Sequence, residues 1–483
     1  MFGKKKKFYL TTTLPYVNAE PHIGFALEII QADVIARFHR NLGEEVVFNF
    51  GTDEHGIKIY RKAAQEGKEV QAYVDEYAAK FDNLKKALNV SYTHFIRTTS
   101  ASHKQAAQEF WKRCLENGDI YKKQYKVKYC VGCELEKTDS ELENGKCPIH
   151  PNLEIELIEE ENYFFAFSKY QQPLLDFYDS HPGFVVPEGK FNEIKSFVKE
   201  GLQDFSISRL KSKMPWGVDV PGDADQVMYV WFDALISYIS TLGWPSDGDF
   251  KKFWPGLQLA GKDNLRQQSA IWQAMLLSAK LPNSTQIFIH GFMTVNGQKI
   301  SKSLGNVISP FEVVQKYGTD ALRYYLLAKI HPFEDSDFSY EKFEESYNSD
   351  LAGGIGNLLA RTVTLAAKDN FAQKKPAEAM KKAIDTAKKE YEAHLQEFKF
   401  NEALKSIWEL ISFCDKYINA EKPWEGKENA SQVISDVLFA LESLSDFLAP
   451  FLPETTEKIK KAMESKKSEI LFPRLPKLLT QLK

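Results

Sequence analysis

Residues 7–33, KFYLTTTLPYVNAEPHIGFALEIIQAD, contain the features that decide the fold of this chain. KFYLTTT has the β-branched and aromatic composition of a strand, and an apolar period typical of a helix begins after Gly24. Two prolines and an asparagine mark the loop between them. A strand that leads through a loop into the amino end of a helix forms a phosphate site in many nucleotide-binding folds. This loop lacks the glycine-rich patterns of the familiar phosphate loops, however, and offers His22 instead.

Strand-like and helical segments alternate on both sides of a different middle region. EEVVFNF and THFIRTT predict strands in the first part, and LQLAG predicts another strand much later in the chain. Alternation of this kind is typical of parallel βαβ units. We therefore predict a doubly wound, parallel-sheet (Rossmann-like) α/β domain in two halves, residues 1–120 and 223–340.

The middle and final parts of the chain have other compositions. Residues 121–222 hold three of the five cysteines, many Glu and Lys residues and scattered prolines, which indicates an insertion that divides the α/β domain. Residues 341–483 have a helical period punctuated by prolines, and they predict a separate helical bundle.

The overall composition is that of an ordinary soluble chain. The 483 residues suffice for about two to four domains, and 43% of them are hydrophobic and 27% charged. The net charge of −4 does not indicate a general affinity for nucleic acid. No apolar run approaches the ~20 residues of a membrane-spanning helix. We therefore expect no membrane partner. Five cysteines in so long a chain do not form a disulfide framework, so we expect a cytoplasmic protein.

The stretch CVGCELEKTDSELENGKCPIH carries the spacing of a metal site. Cys130 and Cys133 are separated by two residues, and Cys147 and His150 repeat that spacing. Short turns of this kind let two ligands bind one tetrahedral ion, and four N/S ligands suit Zn²⁺ while leaving no open position for catalysis. We predict one structural Zn²⁺ per chain. The alternative is a group of ordinary reduced cysteines near a chance histidine, which the repeated spacing disfavours.

A second phosphate signal lies far along the chain in NGQKISKSLGN. Lys299 and Lys302 stand in a segment flanked by Gly and Asn, and a lysine is a flexible point charge that can follow a polyphosphate. By itself, such a loop is usually a solvated surface. Combined with the strand–loop–helix start that carries PHIG, it indicates a nucleotide site.

These motifs resemble those of a known family. HIG and KISKS are similar to the HIGH and KMSKS signatures of class I aminoacyl-tRNA synthetases, and TTLPYVNAEPHIG, FGTDEHG and YVWFDALISY follow the order of the methionyl-tRNA synthetase family. The resemblance extends from Tyr9 to about Arg474. It implies a split catalytic domain with a zinc-knuckle insertion, followed by an α-helical anticodon-binding bundle.

The resemblance also implies a two-step reaction. L-Methionine and ATP give methionyl-adenylate and pyrophosphate, and methionine then passes to the 3′-terminal adenosine of tRNA(Met). Because the methionine carboxylate is already a nucleophile, the first step needs alignment and charge neutralisation rather than a general base. By resemblance, His22 donates to the phosphates, and Lys299 and Lys302 close over the pyrophosphate with Mg²⁺ assisting. Other residues implied in ATP binding are Gly24, Gly261, Asp263, His290 and Gly291.

The resemblance implies a methionine pocket in which Asp53 holds the ammonium group. A hydrophobic pocket discriminates by only about 1–3 kcal/mol per methylene, so shape and aromatic–sulfur contact must contribute to selection. The residues implied around the side chain are Leu14, Tyr16, Trp231, Ala234, Leu235 and Tyr238.

Three residues of the helical bundle correspond to the family's anticodon readers. An aromatic plane such as Trp424 can stack on a splayed base, while the amide of Asn357 and the guanidinium of Arg361 can reach base edges. The sequence shows no additional domain after the bundle, so we expect a monomer.

Two departures from the family pattern keep alternatives open. Phe25 stands where the signature has its second histidine, which favours a non-catalytic tRNA-binding paralogue as one alternative. Gln267 and Gln268 stand where relatives commonly have an aromatic residue and a histidine, which leaves open a class I synthetase for another apolar amino acid. A glutamine amide can still donate toward sulfur, and the other motifs are intact, so we expect an active, methionine-specific enzyme.

Overall fold

The structure is a computed structural model that describes residues 5–300, 305–368, 371–467 and 470–476. Lys302 lies outside the described residues. The chain forms two compact units, each assembled from separate segments. Unit 1 comprises Met1–Pro21, Leu42–Asn83 and Tyr92–Ile289, and unit 2 comprises His22–Asn41, Leu84–Ser91 and His290–Lys483.

Strands and helices of the described residues are numbered here in chain order. The strands are β1 (Lys7–Thr12), β2 (Glu45–Thr52), β3 (His94–Arg97), β4 (Ile120–Cys130), β5 (Leu135–Lys137), β6 (Glu156–Phe165), β7 (Val185–Val186), β8 (Phe205–Ser206), β9 (Ser208–Leu210), β10 (Asp219–Val220), β11 (Asp223–Met228), β12 (Leu257–Gly261), β13 (Gln286–His290), β14 (Met293–Val295), β15 (Gln298–Lys299) and β16 (Ser336–Phe338). The α-helices are α1 (Ile23–Asn41), α2 (Ile57–Gln65), α3 (Val70–Asp82), α4 (Leu84–Ala87), α5 (Ala101–Glu116), α6 (Gln171–Ser180), α7 (Glu188–Lys199), α8 (Val230–Leu235), α9 (Ser237–Ser240), α10 (Phe250–Phe253), α11 (Trp272–Ser278), α12 (Pro310–Tyr317), α13 (Thr319–Ala328), α14 (Tyr340–Ser346), α15 (Asn357–Ala366), α16 (Glu378–Gln396), α17 (Phe400–Glu421), α18 (Ala430–Leu448) and α19 (Pro453–Ser465).

A six-stranded sheet of order β3-β2-β1-β12-β13-β7 is the centre of unit 1. β1 pairs in parallel with β2 on one side and with β12 on the other. The strand order therefore reverses beside β1, and ligands of doubly wound folds bind at the carboxyl ends of strands at such a switch point. The predicted doubly wound, parallel-sheet fold is confirmed.

Aromatic residues from three helices form the core that fixes this region. The rings of Phe110 on α5 and Trp272 on α11 stack with centroids 5.7 Å apart, and Trp111 meets Phe232 of α8 edge to face at 5.4 Å. All four side chains are fully buried. Since large buried rings contribute strongly to packing, this core holds α8 in place.

The middle region builds a second sheet of order β5-β4-β6-β8. β4 and β6 form a long antiparallel ladder from the pair Ile120–Phe165 to the pair Tyr129–Glu156. β7 also lies within residues 121–222, yet it pairs in parallel with β13 of the main sheet. The segment that we interpret as an insertion thus supplies one edge strand to the α/β sheet.

Buried Arg323 on α13 ties together the separate segments of unit 2. Its guanidinium forms an ion pair of 2.8 Å with Asp33 of α1. It also donates to the carbonyl oxygens of Leu88, Pro450 and Phe451 at 3.0, 2.8 and 2.7 Å. A buried charge requires such complete pairing, so these segments form one unit.

The predicted helical bundle is present in α16–α19, and the apolar periods become its buried faces. On α16 the buried residues recur every three or four positions, as an amphipathic helix requires. Among the described residues, every helix is too short or too polar to cross a membrane.

Candidate active site

Residues predicted to bind methionine lie at the carboxyl ends of neighbouring strands in unit 1. Leu14 and Tyr16 follow β1, and Asp53 follows β2. Tyr16 forms an isolated parallel bridge with Asp53, and the Val17 N–H donates to the Asp53 carbonyl at 3.2 Å. Two predicted pocket residues are thereby fixed against each other by backbone hydrogen bonds.

Asp53 is a buried carboxylate with an unsatisfied oxygen. The residue is 3% exposed, and its Oδ1 has no hydrogen-bond partner among the described residues. Burial raises the pKa of Asp53 well above its usual range, and the nearby Asp233 and Glu134 carboxylates raise it further. The raised pKa favours the protonated form of Asp53, and a cation bound there would favour the carboxylate.

The rings of Tyr16 and Trp231 meet edge to face, with centroids 6.5 Å apart at 77°. Trp231, Ala234 and Leu235 all lie on α8. Tyr238 follows on α9, and its backbone carbonyl accepts a hydrogen bond of 2.7 Å from the Tyr9 hydroxyl. The predicted methionine residues therefore belong to one unit and include paired aromatic rings beside the buried carboxylate.

Asp233, in the middle of α8, is held by two histidines. His55 Nδ1 lies 2.5 Å from one carboxylate oxygen, and His103 Nε2 lies 2.6 Å from the other. Burial acts to raise the pKa of Asp233, but the charges and hydrogen bonds of these histidines outweigh it and hold the pKa well below its usual range. The ionised Asp233 thus anchors the helix that carries Trp231.

The two unexpected glutamines occupy a π-helical turn, Gln267–Ile271, after β12. Gln268 donates from Nε2 to the Tyr238 hydroxyl at 2.7 Å and accepts from Gln258 Nε2 at 2.8 Å. Gln267 is also buried, and its Oε1 has no hydrogen-bond partner among the described residues. The Gln268 amide thus donates to Tyr238, one of the predicted pocket residues.

The predicted ribose-binding residues lie at the end of β12, which adjoins β1. Gly261 is the buried last residue of that strand, whereas Asp263 is exposed and accepts a hydrogen bond of 3.1 Å from the Asn264 amide. The Thr13 N–H donates to the Leu259 carbonyl at 3.1 Å, so the loop after β1 runs beside the end of β12. These residues occupy the switch point of the sheet.

His22 belongs to unit 2 and has its tautomer set by the next turn of backbone. The Gly24 N–H donates to His22 Nδ1 at 3.1 Å, and a Cβ atom at Gly24 would lie only 2.8 Å from the imidazole. Burial lowers the pKa of His22 to about 4, so the ring is neutral at physiological pH. With Nδ1 an acceptor, the proton is on Nε2.

Phe25 packs directly on that imidazole. The two ring centroids are 4.3 Å apart and the planes are inclined by 33°. The residue that replaces a histidine in the signature therefore supports the orientation and the desolvation of His22 rather than adding another donor.

Lys299 is exposed at the end of a tight hairpin in unit 2. β14 and β15 pair in antiparallel register, and Asn296 and Gly297 both have positive φ, the conformation that Asn-Gly hairpin turns require. The Asn306 amide donates to the Lys299 carbonyl at 3.0 Å. Two residues later, the Ile308 carbonyl accepts the Ile23 N–H at 3.0 Å, which brings the segment after the lysine loop to the start of α1.

His290 and Gly291 have partners within unit 2. The imidazole of His290 lies 2.8 Å from the Glu28 carboxylate through Nε2 and 2.8 Å from the Gly291 carbonyl through Nδ1. A Cβ atom at Gly291 would lie 2.2 Å from the Glu334 backbone. Close packing of the chain thus requires glycine at this position.

The four predicted metal ligands converge on one point of unit 1. The ligand atoms of Cys130, Cys133, Cys147 and His150 all lie within 4.8 Å of one another. The Cys133 and Cys147 sulfurs are 3.5 Å apart, and His150 Nδ1 is 3.2 Å from Cys133 Sγ and 3.8 Å from Cys130 Sγ. Tetrahedral Zn²⁺ with Zn–S bonds of about 2.3 Å places its ligand atoms ~3.8 Å apart. The cluster, which we call the knuckle (Cys130–His150), therefore fits a tetrahedral metal ion.

The three predicted anticodon residues lie in the helical part of unit 2. The Arg361 guanidinium is 4.5 Å from the ring centroid of Trp424, which is 43% exposed. Exposed Asn357 begins α15 directly after a π-helical segment, Tyr347–Gly356. An exposed indole with a cation on its face is suited to base stacking.

Sequence reasoning missed several polar residues that shape the site. Asp233 lies inside the quoted motif YVWFDALISY, but its histidine partners are 178 and 130 residues away. Glu134 directly follows a metal ligand and accepts a hydrogen bond of 2.8 Å from Tyr16. An acidic residue inside an apolar motif was a signal for Asp233, whereas Glu134 stands in a charged stretch and gave no such signal.

Comparison with known proteins gives two family matches. The model for tRNA synthetases class I (M) matches residues 8–155 and 136–363. The model for the anticodon-binding domain of tRNA ligase matches residues 378–482.

Similar proteins cover nearly the whole chain. The methionine–tRNA ligase of Nostoc sp. is 43% identical over an alignment of 476 positions, and the match covers 94% of this chain and 89% of that protein. The methionine–tRNA ligase of Thermotoga maritima is 43% identical over 94% of this chain and 74% of its own length. The structure of Mycobacterium tuberculosis methionyl-tRNA synthetase in complex with methionyl-adenylate superimposes with a TM-score of 0.90 and 35% identity, over 94% of this chain and 93% of that one.

Proposed function

The chain belongs to the class I tRNA synthetases of the methionine type, and on that premise we propose that it is an ATP-dependent methionine–tRNA ligase. It activates L-methionine with ATP to methionyl-adenylate and pyrophosphate, and it transfers methionine to the 3′-terminal adenosine of tRNA(Met).

The observation that carries this proposal is the unsatisfied Asp53 carboxylate beside two aromatic rings. Its Oδ1 lacks a partner among the described residues, and the α-ammonium of an amino acid supplies the missing cation. Tyr16 and Trp231 present ring edges and faces to an apolar, polarizable side chain, which favours a thioether. Leu14, Ala234, Leu235 and Tyr238 complete the proposed apolar wall.

Adenylate formation requires donors for the negative charge that moves from the α-phosphate to pyrophosphate. Neutral His22 supplies an Nε2–H, since the Gly24 backbone occupies Nδ1. Lys299, with Lys302 in the same motif, supplies positive charge. ATP enters as its Mg²⁺ complex, and Gly24, Gly261, Asp263, His290 and Gly291 are the proposed contacts of the nucleoside and phosphates.

Zn²⁺ is the ion that the knuckle residues would hold, because three thiolates and one imidazole nitrogen complete a tetrahedral set. Its contribution is to the fold of the knuckle. Cys130 and Cys147 are buried, and the free energy of metal binding by such a ligand set contributes to folding.

The proposed anticodon surface consists of Trp424, Arg361 and Asn357. Trp424 stacks on an unpaired base, and the Arg361 guanidinium on its face adds a donor for base edges. A cytoplasmic location and a monomeric state remain predictions, and sedimentation equilibrium of the purified chain measures the second.

Amino-acid-dependent ATP–pyrophosphate exchange tests the proposal. We expect exchange with methionine, and its loss in Asp53→Asn with retained fold. Exchange only with another apolar amino acid would assign the chain to a different specificity, and tRNA binding without any exchange would assign it to a non-catalytic paralogue.

A further inference from the structure

Glu134 lies immediately after the second knuckle cysteine, yet its side chain forms hydrogen bonds with residues outside the knuckle. The residue is 1% exposed, whereas the other described side chains of the knuckle, apart from buried Cys130 and Cys147, are exposed or half-buried. Its backbone has φ 52°, a left-handed conformation that is uncommon for a residue with a side chain. A buried carboxylate on a strained backbone needs compensating partners.

Those partners come from three separate segments of unit 1. The Tyr16 hydroxyl donates to Glu134 Oε2 at 2.8 Å, and the Lys58 N–H, at the start of α2, donates to Oε1 at 3.0 Å. The hydroxyl of Tyr229, which directly precedes α8, donates to the Glu134 carbonyl.

Gly56, just before α2, and Lys58, in its first turn, complete the surroundings of Glu134. Gly56 has φ 109°, and a Cβ atom there would lie 2.9 Å from Glu134 Oε2, so only glycine leaves room for the carboxylate. The Lys58 ammonium group also donates to the Gly132 carbonyl at 3.3 Å. The knuckle is therefore attached to the rest of unit 1 at both Gly132 and Glu134.

The contacts of Tyr16 and Tyr229 lead to residues of the proposed methionine pocket. Tyr16 is bridged to Asp53 through its backbone, and its ring meets Trp231, which is two residues after Tyr229. Loss of the contacts of Glu134 with Tyr16 and Tyr229 would remove a restraint from the Tyr16 ring and from the start of α8. A metal-loaded knuckle fixes where Glu134 stands, since its neighbour Cys133 is a ligand.

We propose that Glu134 is a positioning residue through which the metal-loaded knuckle orders the methionine pocket, so that methionine affinity depends on a metal ion that does not touch methionine. This inference rests on the proposed function. It assigns to the knuckle a role in amino-acid binding in addition to its role in the fold.

The test measures methionine binding to the full chain by equilibrium dialysis, alongside metal content and the circular dichroism spectrum. Glu134→Gln should weaken methionine binding by about 10- to 100-fold, because a charge-assisted hydrogen bond from Tyr16 is lost. Its ATP affinity should stay within about twofold of the wild type, and its zinc stoichiometry should stay unchanged. Glu143→Gln makes the same substitution at an exposed position of the knuckle and should change nothing.

Two further measurements separate positioning from a general loss of structure. Tyr16→Phe should weaken binding by a similar factor, and the double variant should be no weaker than either single one, because both remove the same contact. Removal of zinc from the wild type by a chelator should lower methionine affinity, while removal from Glu134→Gln should lower it little further.

Wild-type methionine affinity in Glu134→Gln, or additive effects in the double variant, would overturn the inference. If Glu134→Gln lost zinc or its native spectrum, unchanged methionine affinity in Tyr16→Phe would overturn it instead. A wild type that binds another amino acid, but not methionine, would contradict the proposed function and is distinct from these outcomes.

Discussion

At the scale of single residues, the backbone next to His22 determines which of its two ring nitrogens carries the proton. A backbone N–H can only donate, so the Gly24 amide makes His22 Nδ1 an acceptor. The Phe25 ring lies against the imidazole, and burial keeps it neutral. The site thus has a donor whose state does not change across physiological pH.

His22→Gln is expected to lower the rate of methionine-dependent exchange by about 100- to 1,000-fold, because the glutamine amide lacks the Gly24 and Phe25 contacts that hold the imidazole donor in place for the developing charge. The ratio of wild-type to variant rates should be constant from pH 5.5 to pH 8, since a pKa of about 4 leaves His22 neutral throughout. Exchange rates at half-unit pH steps check this.

The exposed His181 provides the matched control for that experiment. His181→Gln should leave the exchange rate unchanged at every pH. A wild-type to His22→Gln ratio that changed near pH 6.5, the ordinary pKa of histidine, would contradict a neutral His22.

Residue identity indicated the candidate metal ligands better than the polar contacts that support the site. The four knuckle ligands lie within 21 residues, so their spacing is visible in the sequence. In the sequence, Gln268 is only a departure from the family's histidine, whereas in the structure it forms hydrogen bonds with Tyr238 and Gln258. Such contacts join elements that are distant along the chain, and no local pattern reports them.

At the scale of elements, the knuckle depends on a close approach that only glycine allows. The His150 ring lies so near Gly132 that a Cβ atom there would be 2.4 Å from the imidazole. Gly132→Ala should displace His150 and reduce the zinc bound per chain well below one, because three remaining ligands hold the ion less tightly. Atomic absorption after dialysis measures this stoichiometry.

Gly189→Ala is the control, since that glycine on α7 has nothing within 4 Å of its added Cβ atom. It should retain one zinc ion. Full zinc content in Gly132→Ala would show that the imidazole can move without loss of the metal.

The contact between α13 and α19 predicts a pH dependence of stability. Asp320 is buried and accepts the Thr455 N–H at 2.6 Å. Burial raises its pKa to about 6, although Arg323 and Thr455 oppose the increase. Because a raised pKa favours the protonated form in the folded state, this contribution to stability is full below the unfolded pKa near 4 and is lost as the pH rises through 6.

Asp320→Asn should therefore abolish a decrease of up to about 3 kcal/mol in the free energy of unfolding between pH 4 and pH 7. Urea unfolding at several pH values gives the difference between wild type and variant. Asp385→Asn, an exposed position on α16, should leave the wild-type slope intact. Parallel pH curves for wild type and Asp320→Asn would contradict the prediction.

Long periodic elements were predictable, and short or irregular ones were not. The apolar periods of α16, α17 and α18 define their buried faces directly. β7 has only two residues and owes its place to β13, so its pair of valines is too short a run to predict a strand. The π-helical turn at Gln267–Ile271 has the same local composition as an ordinary helix.

At the scale of the whole molecule, chain order and spatial grouping differ. The boundaries near 120, 222 and 340 follow changes of composition along the sequence, and they remain predictions. The compact units instead group α1 and residues 84–91 with the C-terminal part of the chain. Arg323 shows why, because its partners at Asp33, Leu88 and Phe451 are brought together only by long-range pairing.

Removal of the proposed base-stacking platform should separate tRNA recognition from amino-acid activation. Trp424→Ala should raise the KM for tRNA(Met) by about 5- to 100-fold, given about 1–3 kcal/mol for a stacked base. The rate of ATP–pyrophosphate exchange should be unchanged, because that step does not involve tRNA. Aminoacylation and exchange assays on the same preparation measure both.

Phe413, another exposed aromatic of the helical part, is the control for Trp424. Phe413→Ala should leave both assays unchanged. Equal losses of tRNA charging in the two variants would indicate a general effect on the bundle rather than stacking on the anticodon.

The turn between His22 and Gly24 also gives the histidine a spectroscopic signature. A bare Nδ1 and a hydrogen-bearing Nε2 have well-separated ¹⁵N resonances, and the turn that assigns them is complete in the free chain. Selective isotope labelling would therefore report the arrangement before any nucleotide is added. If this turn opened, the two tautomers of His22 would exchange, and the two ¹⁵N signals would move towards an average. The measurement needs no catalytic assay.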